Sequence, residues 1–333
     1  MKFHRSIVVF LVLAMLTVAV PLTVQGDTTD DATISITDSR GVITNLTGPA
    51  AHVASFGAFA TNTLVDIGML DKAVIFDASS EFNKSAIPEM QGKPAEQFIT
   101  VSSMNSDLVV QKMLYLADQG TWNRTTDVIF GYGYDSLSPM WSELEGLGFI
   151  VITFYPNSYD GIVQVVRDIE SVTGADHDAS DQMVYVKEFI AETLEENGVT
   201  DLEDKVTAVY VSYSGGKMYL GNHGSVTVDF IIFAGAVNSA QDEDISANRY
   251  EVDLTYILQL NPQFVLLDGY YTGTAAEFSD DLGNEDITVY KLNKSWNSYC
   301  PDASEGLWTV ACLFYPDYFE GELPVNDMDQ AVE

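Results

Sequence analysis

Residues 178–197 read DASDQMVYVKEFIAETLEEN. Met183, Val186, Ile190 and Leu194 recur at helical spacing, so one apolar stripe runs for about five turns, roughly 30 Å at 1.5 Å per residue. Asp178 and Ser180 are candidate caps at its start, and Asn197-Gly198 is a stop signal. The segment falls near the middle of the chain. A helix of that length either ties two lobes together or lies on the surface of one large domain, and 333 residues accommodate both.

On each side of it the chain repeats one rhythm: short apolar run, loop, amphipathic helix. Runs at 52–56, 73–76, 127–130 and 149–154 precede the long helix, and runs at 206–211, 264–267 and 287–292 follow it. They are rich in Val, Ile and Phe and too short for helices. Helical periodicity follows most of them, at 61–70, 111–117, 162–172 and 256–260. Alternation of this kind predicts an α/β fold with parallel sheets covered by helices. Ahead of the first run, 33–44 alternates around Asp38-Ser39-Arg40-Gly41 and predicts a hairpin. A last helix is expected over 305–318.

The first residues indicate a compartment. Lys2, His4 and Arg5 precede an unbroken apolar run at 7–20, and Pro21, Val24 and Gly26 suit cleavage before Asp27. That pattern is a secretory signal at 1–26, or else an uncleaved N-terminal anchor. The remainder is then extracytoplasmic, in a periplasm or at the outer face of the cell membrane. Sequons at Asn45, Asn83, Asn123 and Asn293 are compatible with that. The charge is −34, from 49 Asp+Glu against 15 Lys+Arg. Nucleic acid is excluded as a partner, because phosphate binding needs a basic footprint. Anionic membrane surfaces are disfavoured for the same reason. The acids are spread along the chain, as in a solvated, salt-adapted surface. Cys300 and Cys312 could pair in an oxidising compartment. A bridge would need the loop before the last helix to fold back along more than a turn.

Catalytic signatures are sparse. Beyond the signal the histidines are His52, His177 and His223, none in a zinc-binding spacing. No Gly-x-Ser-x-Gly elbow or phosphate-binding P-loop occurs, and Gly131-Tyr132-Gly133 lacks the rest of a dinucleotide fingerprint. Aromatic residues past the strand ends are more informative. In the first half they are Phe56, Phe59, Tyr132, Tyr134 and Tyr155. In the second they are Tyr213, Tyr219, Tyr270, Tyr271, Trp296 and Tyr299. Open α/β sheets place their ligand crevice there, so facing clusters suit the walls of a cleft for a bulky, partly apolar ligand.

The motifs, in their order, resemble a known family. Residues 33–41 (TISITDSRG) resemble the opening hairpin of extracytoplasmic solute-binding proteins that serve ABC importers for iron-siderophore, haem and cobalamin. HVASFG at 52–57 with TNTLVDIG at 61–68 resembles that family's first strand and helix. GAVN at 235–238, and VDLTYILQLNP at 252–262 with FVLL at 264–267, resemble units of its second lobe. Trp296 to Pro316, with Gly306-Leu307-Trp308 between, resembles its last loop and helix. The resemblance covers nearly the whole chain after the signal.

It implies two Rossmann-like lobes with mainly parallel sheets joined by one long α-helix, the helical-backbone metal-receptor type. The lobes would be 27–177 and 199–333, with the bridge at 178–198. Such a protein is a monomer and no enzyme, has no intrinsic cofactor, and hands its cargo to a membrane permease. The cargo would be an iron chelate, haem or a corrinoid. Tyr132, Tyr134, Trp296 and Tyr299 are the expected lining, with Phe56, Tyr213 and Arg249 behind them. With so acidic a chain, a neutral or cationic complex is favoured over a strongly anionic one. The family's permease-docking glutamates would fall at Thr255 and near Ser138, which leaves Asp253 and Asp135 as the nearest acids. Two other readings remain: a zinc/manganese-type receptor, which needs clustered His and carboxylates, and a secreted α/β hydrolase.

Overall fold

The computed structural model describes residues 33–78 and 87–325. The signal or anchor at 1–26 and the sequon at Asn83 lie outside the described residues. The predicted hairpin is β1 (Ile34–Thr37) and β2 (Ile43–Leu46), antiparallel with Ile34 opposite Leu46. Asp38 fixes its turn by accepting the backbone N–H groups of Arg40 and Val42, and Gly41 takes φ 77° there. Arg40 then bridges Asp38 and Glu145, each at 2.7 Å, and so staples the hairpin to the body.

A five-stranded parallel sheet follows. Its strands are β3 (Val53–Phe56), β4 (Ala73–Asp77), β5 (Phe98–Ile99), β6 (Val128–Tyr132) and β7 (Ile150–Phe154), in the order β5-β4-β3-β6-β7. All of β3 is buried, as a central strand covered on both faces requires. Helices α1 (Ala58–Asp66), α2 (Ser106–Asp118) and α3 (Ser138–Gly146) lie in the crossovers. The chain runs outward from β3 through β4 to β5, then returns to its other side for β6 and β7. The carboxyl ends of β3 and β6 therefore frame a crevice at a topological switch point.

Two helices come next, α4 (Tyr159–Thr173) and α5 (Asp178–Glu196). α5 has the predicted extent and stops before Asn197 and Gly198, the glycine at φ 76°. Its start is held differently from expectation. Glu170 of α4 is wholly buried and accepts the N–H groups of Ala179 at 2.9 Å and Ser180 at 3.2 Å. Neither Asp178 nor Ser180 caps the helix. The α5 stripe of Met183, Val186, Ile190 and Leu194 packs into the core of the second half. α4 has the wider stripe: Ile162, Val163 and Val166 enter that same core, while Val165, Ile169 and Val172 enter the core of the first half. α4 thus contributes side chains to both cores.

The second sheet contains β8 (Thr207–Ser214), β9 (Lys217–Gly221), β10 (Val237–Asn238), β11 (Arg249–Val252), β12 (Phe264–Leu267) and β13 (Thr288–Lys291). Its path is β11-β9-β8-β12-β13, with β10 beside the start of β8. β8, β10, β12 and β13 are parallel, and β9 and β11 are antiparallel additions. Helices α6 (Val226–Phe233), α7 (Leu254–Leu260), α8 (Ala275–Leu282) and α9 (Asp302–Phe314) complete this lobe. The βα rhythm does not show the β8–β9 hairpin. Its turn is Gly215-Gly216, both at positive φ, which suits a two-residue hairpin loop. Tyr219 therefore sits on a strand, not in a loop. The fold is α/β, with two lobes of mainly parallel sheet joined by a helix. Cys300 and Cys312 are free thiols, and Cys300 is fully buried. Among the described residues no helix is long and apolar enough to cross a membrane.

Candidate functional site

Tyr132 ends β6 at the switch point, so its ring stands at the mouth of the crevice. Gly57, after β3, lets it approach: a Cβ there would lie 3.0 Å from Tyr132 Cε2 and closer still to Phe59. Tyr132 packs against Phe59 at 4.9 Å and stacks on Tyr134 at 5.0 Å, 20° between planes. Tyr134 meets Tyr155 edge-on at 5.3 Å. From the second lobe Tyr299 closes on Tyr132 at 6.5 Å and 70°. Tyr299 holds φ 61°, a left-handed conformation that L residues rarely adopt, so the fold holds this ring in place at a conformational cost.

Burial raises the pKa values of Tyr132 and Tyr299 well above the usual phenol range, and that of Tyr134 as well. Neighbouring phenols add to it: Tyr134 beside Tyr132, Tyr155 and Tyr270 beside Tyr134, and all three of Tyr134, Tyr155 and Tyr270 beside Tyr299. At neutral pH the cluster consists of neutral phenols, which offer aromatic faces and O–H groups. Binding ferric iron as phenolate would first require displacing a firmly held proton.

Tyr155 and Tyr299 form one side of a half-open cleft of about 370 Å³. The second sheet forms its floor. Arg249 on β11 pairs with Gly221 on β9, and Tyr210 on β8 pairs with Leu266 on β12. Gly221 is required there, since a Cβ would sit 2.9 Å from Tyr210 Cδ1 and 2.8 Å from Val228 Cγ2. Tyr210, Ser212, Arg249 and Asp268 line this floor, and Asn157, Asn248 and Asn297 line the rim. Burial, with the charge of nearby Asp268, raises the pKa of Tyr210.

The structure sorts the expected site residues. Tyr132, Tyr134 and Tyr299 come together, and Arg249 lines the floor. Trp296 is a core residue instead. It is buried against Gly306, where a Cβ would meet Trp296 Cβ at 2.7 Å, and its Nε1–H donates to Glu305 at 3.2 Å. Phe56 is also core, wholly buried and stacked on Trp141 at 6.4 Å. Tyr213 pairs with Tyr271 at 5.0 Å and donates to Met218 Sδ, and it is not among the cleft-lining residues. Asp135 and Asp253 are both exposed. Asp253 caps α7 by accepting the Tyr256 N–H at 3.0 Å. Among the described residues no group of three or more His, Cys, Asp or Glu is placed to hold a metal ion. Asp268, Ser212 and the rim asparagines were not singled out from the sequence. The strand-end position of Asp268, directly after Leu267, was the available signal.

No protein-family model and no curated protein match this sequence. Solved structures do. CeuE of Helicobacter pylori, solved as a Ni-His complex, is 17% identical with TM-score 0.62, over 86% of this chain and 89% of that one. The periplasmic heme-binding protein RhuT from Roseiflexus sp. RS-1, in apo form, is 14% identical with TM-score 0.59, over 80% of this chain and 98% of that one. The periplasmic heme-binding protein HutB of Vibrio cholerae is 15% identical with TM-score 0.58, over 80% and 99%. This chain therefore has the two-lobed α/β fold of periplasmic binding proteins, the architecture that the sequence motifs resembled.

Proposed function

We propose that the chain is an extracytoplasmic solute-binding protein that captures a metal chelate between its lobes and presents it to an ABC importer permease. The lobe division we adopt places α4 as the tie between them. The observation that carries the reading is the tyrosine cluster, in which Tyr132 and Tyr134 from one lobe meet Tyr299 from the other over an open cleft. Such a surface covers a bulky ligand and does no chemistry on it. Cargo binding replaces water on the phenol faces, and the ring contact across the lobes responds to cargo without a large hinge. The cargo classes that fit are an iron-siderophore chelate, haem or a corrinoid, bound by a monomer.

Titration of the purified protein with ferric hydroxamate, ferric catecholate, haemin and cobalamin tests this. Saturable one-to-one quenching of intrinsic fluorescence, matched by calorimetric heat, is expected for at least one of them. Silence toward all four ends the proposal. The permease contact we propose uses Asp135 and Asp253. Replacing both with Lys should leave cargo affinity unchanged while abolishing cargo-stimulated ATPase activity of the reconstituted importer. Undiminished stimulation would remove these two residues from the docking surface.

A further inference from the structure

Arg249 differs from the other described arginines. Arg40 pairs with Asp38 and Glu145 at 2.7 Å, Arg167 pairs with Asp181 at 2.7 Å, and Arg124 approaches Asp118 at 4.0 Å. Arg249 makes no ion pair among the described residues, in a chain with 49 acids to 15 Lys and Arg. Its guanidinium lies over the Tyr219 ring, 4.6 Å from the centroid. That contact holds the guanidinium against the ring, and the residue lines the cleft.

Asp268 lines the same cleft, and Arg249 does not pair with it. The Asp268 Oδ1 accepts the Tyr270 N–H at 2.9 Å, and Tyr210 lines the cleft beside it. That bond holds the carboxylate and uses one of its acceptor sites, so acceptor capacity remains on a residue that lines the cleft. The cavity is therefore bipolar: two opposite charges line it and are not neutralised by each other. Water serves both while the cleft is open. A ligand that displaces this water must replace it at both poles, or leave one charge desolvated. A dianionic macrocycle satisfies Arg249 and meets repulsion at Asp268. A simple cation does the reverse.

We propose that Asp268 and Arg249 select a chelate with a zwitterionic periphery, its ammonium group against Asp268 and its carboxylate against Arg249. The proposal rests on the chelate-binding reading above and narrows its cargo. One ferric trihydroxamate core tests it, ferrioxamine carried with four different ends. These are the native ammonium, an acetyl cap, a succinyl cap bearing a carboxylate, and an aspartyl cap joined through the side chain and bearing both charges. Haemin serves as a fifth probe. The wild-type protein is expected to bind the doubly charged end about tenfold more tightly than the acetylated one. Asp268→Asn should erase the advantage of the ammonium and Arg249→Gln that of the carboxylate, each read as the affinity ratio to the acetylated probe in the same variant. Asp268→Glu should restore part of the ammonium preference. Equal affinity for the four ends, or variants that weaken all four alike, overturns the proposal and leaves chelate binding intact. Binding of haemin without any trihydroxamate overturns it in the same way. No binding of any probe overturns this proposal, and overturns the chelate reading as well when ferric catecholate and cobalamin are also silent.

Discussion

At the residue scale, Phe56 and Tyr134 separate burial from function. Both follow strands as aromatic residues, and the sequence places both in a ligand wall. Phe56 is wholly buried against Trp141, whereas Tyr134 is 40% exposed in the tyrosine cluster. Phe56→Ala should cost about 3–5 kcal/mol of stability through lost transfer energy and a residual cavity. Protein that remains folded should keep its cargo affinity. Tyr134→Ala should change stability by no more than about 1 kcal/mol and weaken cargo binding about tenfold. Denaturant melts and calorimetric titrations of both variants check this, and the opposite pairing of effects would put Phe56 back in the wall. The reason sequence reading mixed the two is physical. An aromatic at a strand end can turn inward under the next helix or outward over the crevice, and the partner that decides it is remote. Trp141 decides for Phe56, and Gly306 decides for Trp296. Tyr132 was legible as an aromatic at a strand end, and Arg249 because arginine is scarce. Asp268 was hidden among 49 acids.

At the scale of elements, α4 carries a titration that can be read out. Asp168 is only 8% exposed, and burial pushes its pKa up to about 6, against the opposing pull of the Gln164 amide at 2.7 Å and of nearby Arg167. The unfolded chain releases this proton near 3.8. The folded state therefore binds the proton more tightly, and the stability this confers is complete below about pH 3.8 and is lost as pH rises through 6. Asp168→Asn keeps the Gln164 bond and removes the buried charge. It should stabilise the protein at pH 8 by about 1–2 kcal/mol, after allowance for solvent screening, with the gain vanishing in acid. A gain that is the same at both pH values would mean that this carboxyl does not titrate as described. The same helix shows where reading elements from sequence succeeds and stops. Periodicity located α4 and α5 because helical repeats are local. It left the long stripe of α5 open between a bridge and a surface helix, and the family resemblance placed the bridge at 178–198. The wide stripe of α4 feeds two cores, and those cores exist only once both sheets have formed. The β8–β9 hairpin escaped because a Gly-Gly turn within a βα rhythm reads as a loop.

For the whole molecule, the dominant quantity is a charge of −34. With 15 Lys and Arg for 49 acids, most carboxylates have no cation to pair with, and the folded state holds them closer together than the unfolded chain does. Compactness is therefore opposed by self-repulsion, whose range is set by salt: about 10 Å at 0.1 M and about 3 Å at 1 M. The melting temperature should rise by several degrees between 0.05 and 1 M KCl, at roughly 2–4 °C per kcal/mol for a chain of this size class. NaCl and KCl should act alike, because screening depends on ionic strength rather than on the cation. The rise should flatten once the screening length falls below the spacing of surface carboxylates. It should also shrink near pH 4, where most carboxylates take up protons and the repulsion that salt relieves is already reduced. Exclusion of the salt from the surface predicts something else: a rise that continues with concentration and differs between chloride and sulfate. Melting curves in KCl at pH 7 and pH 4 separate the two, and a flat or falling melting temperature at pH 7 would show that the acids are spaced too widely to strain the fold.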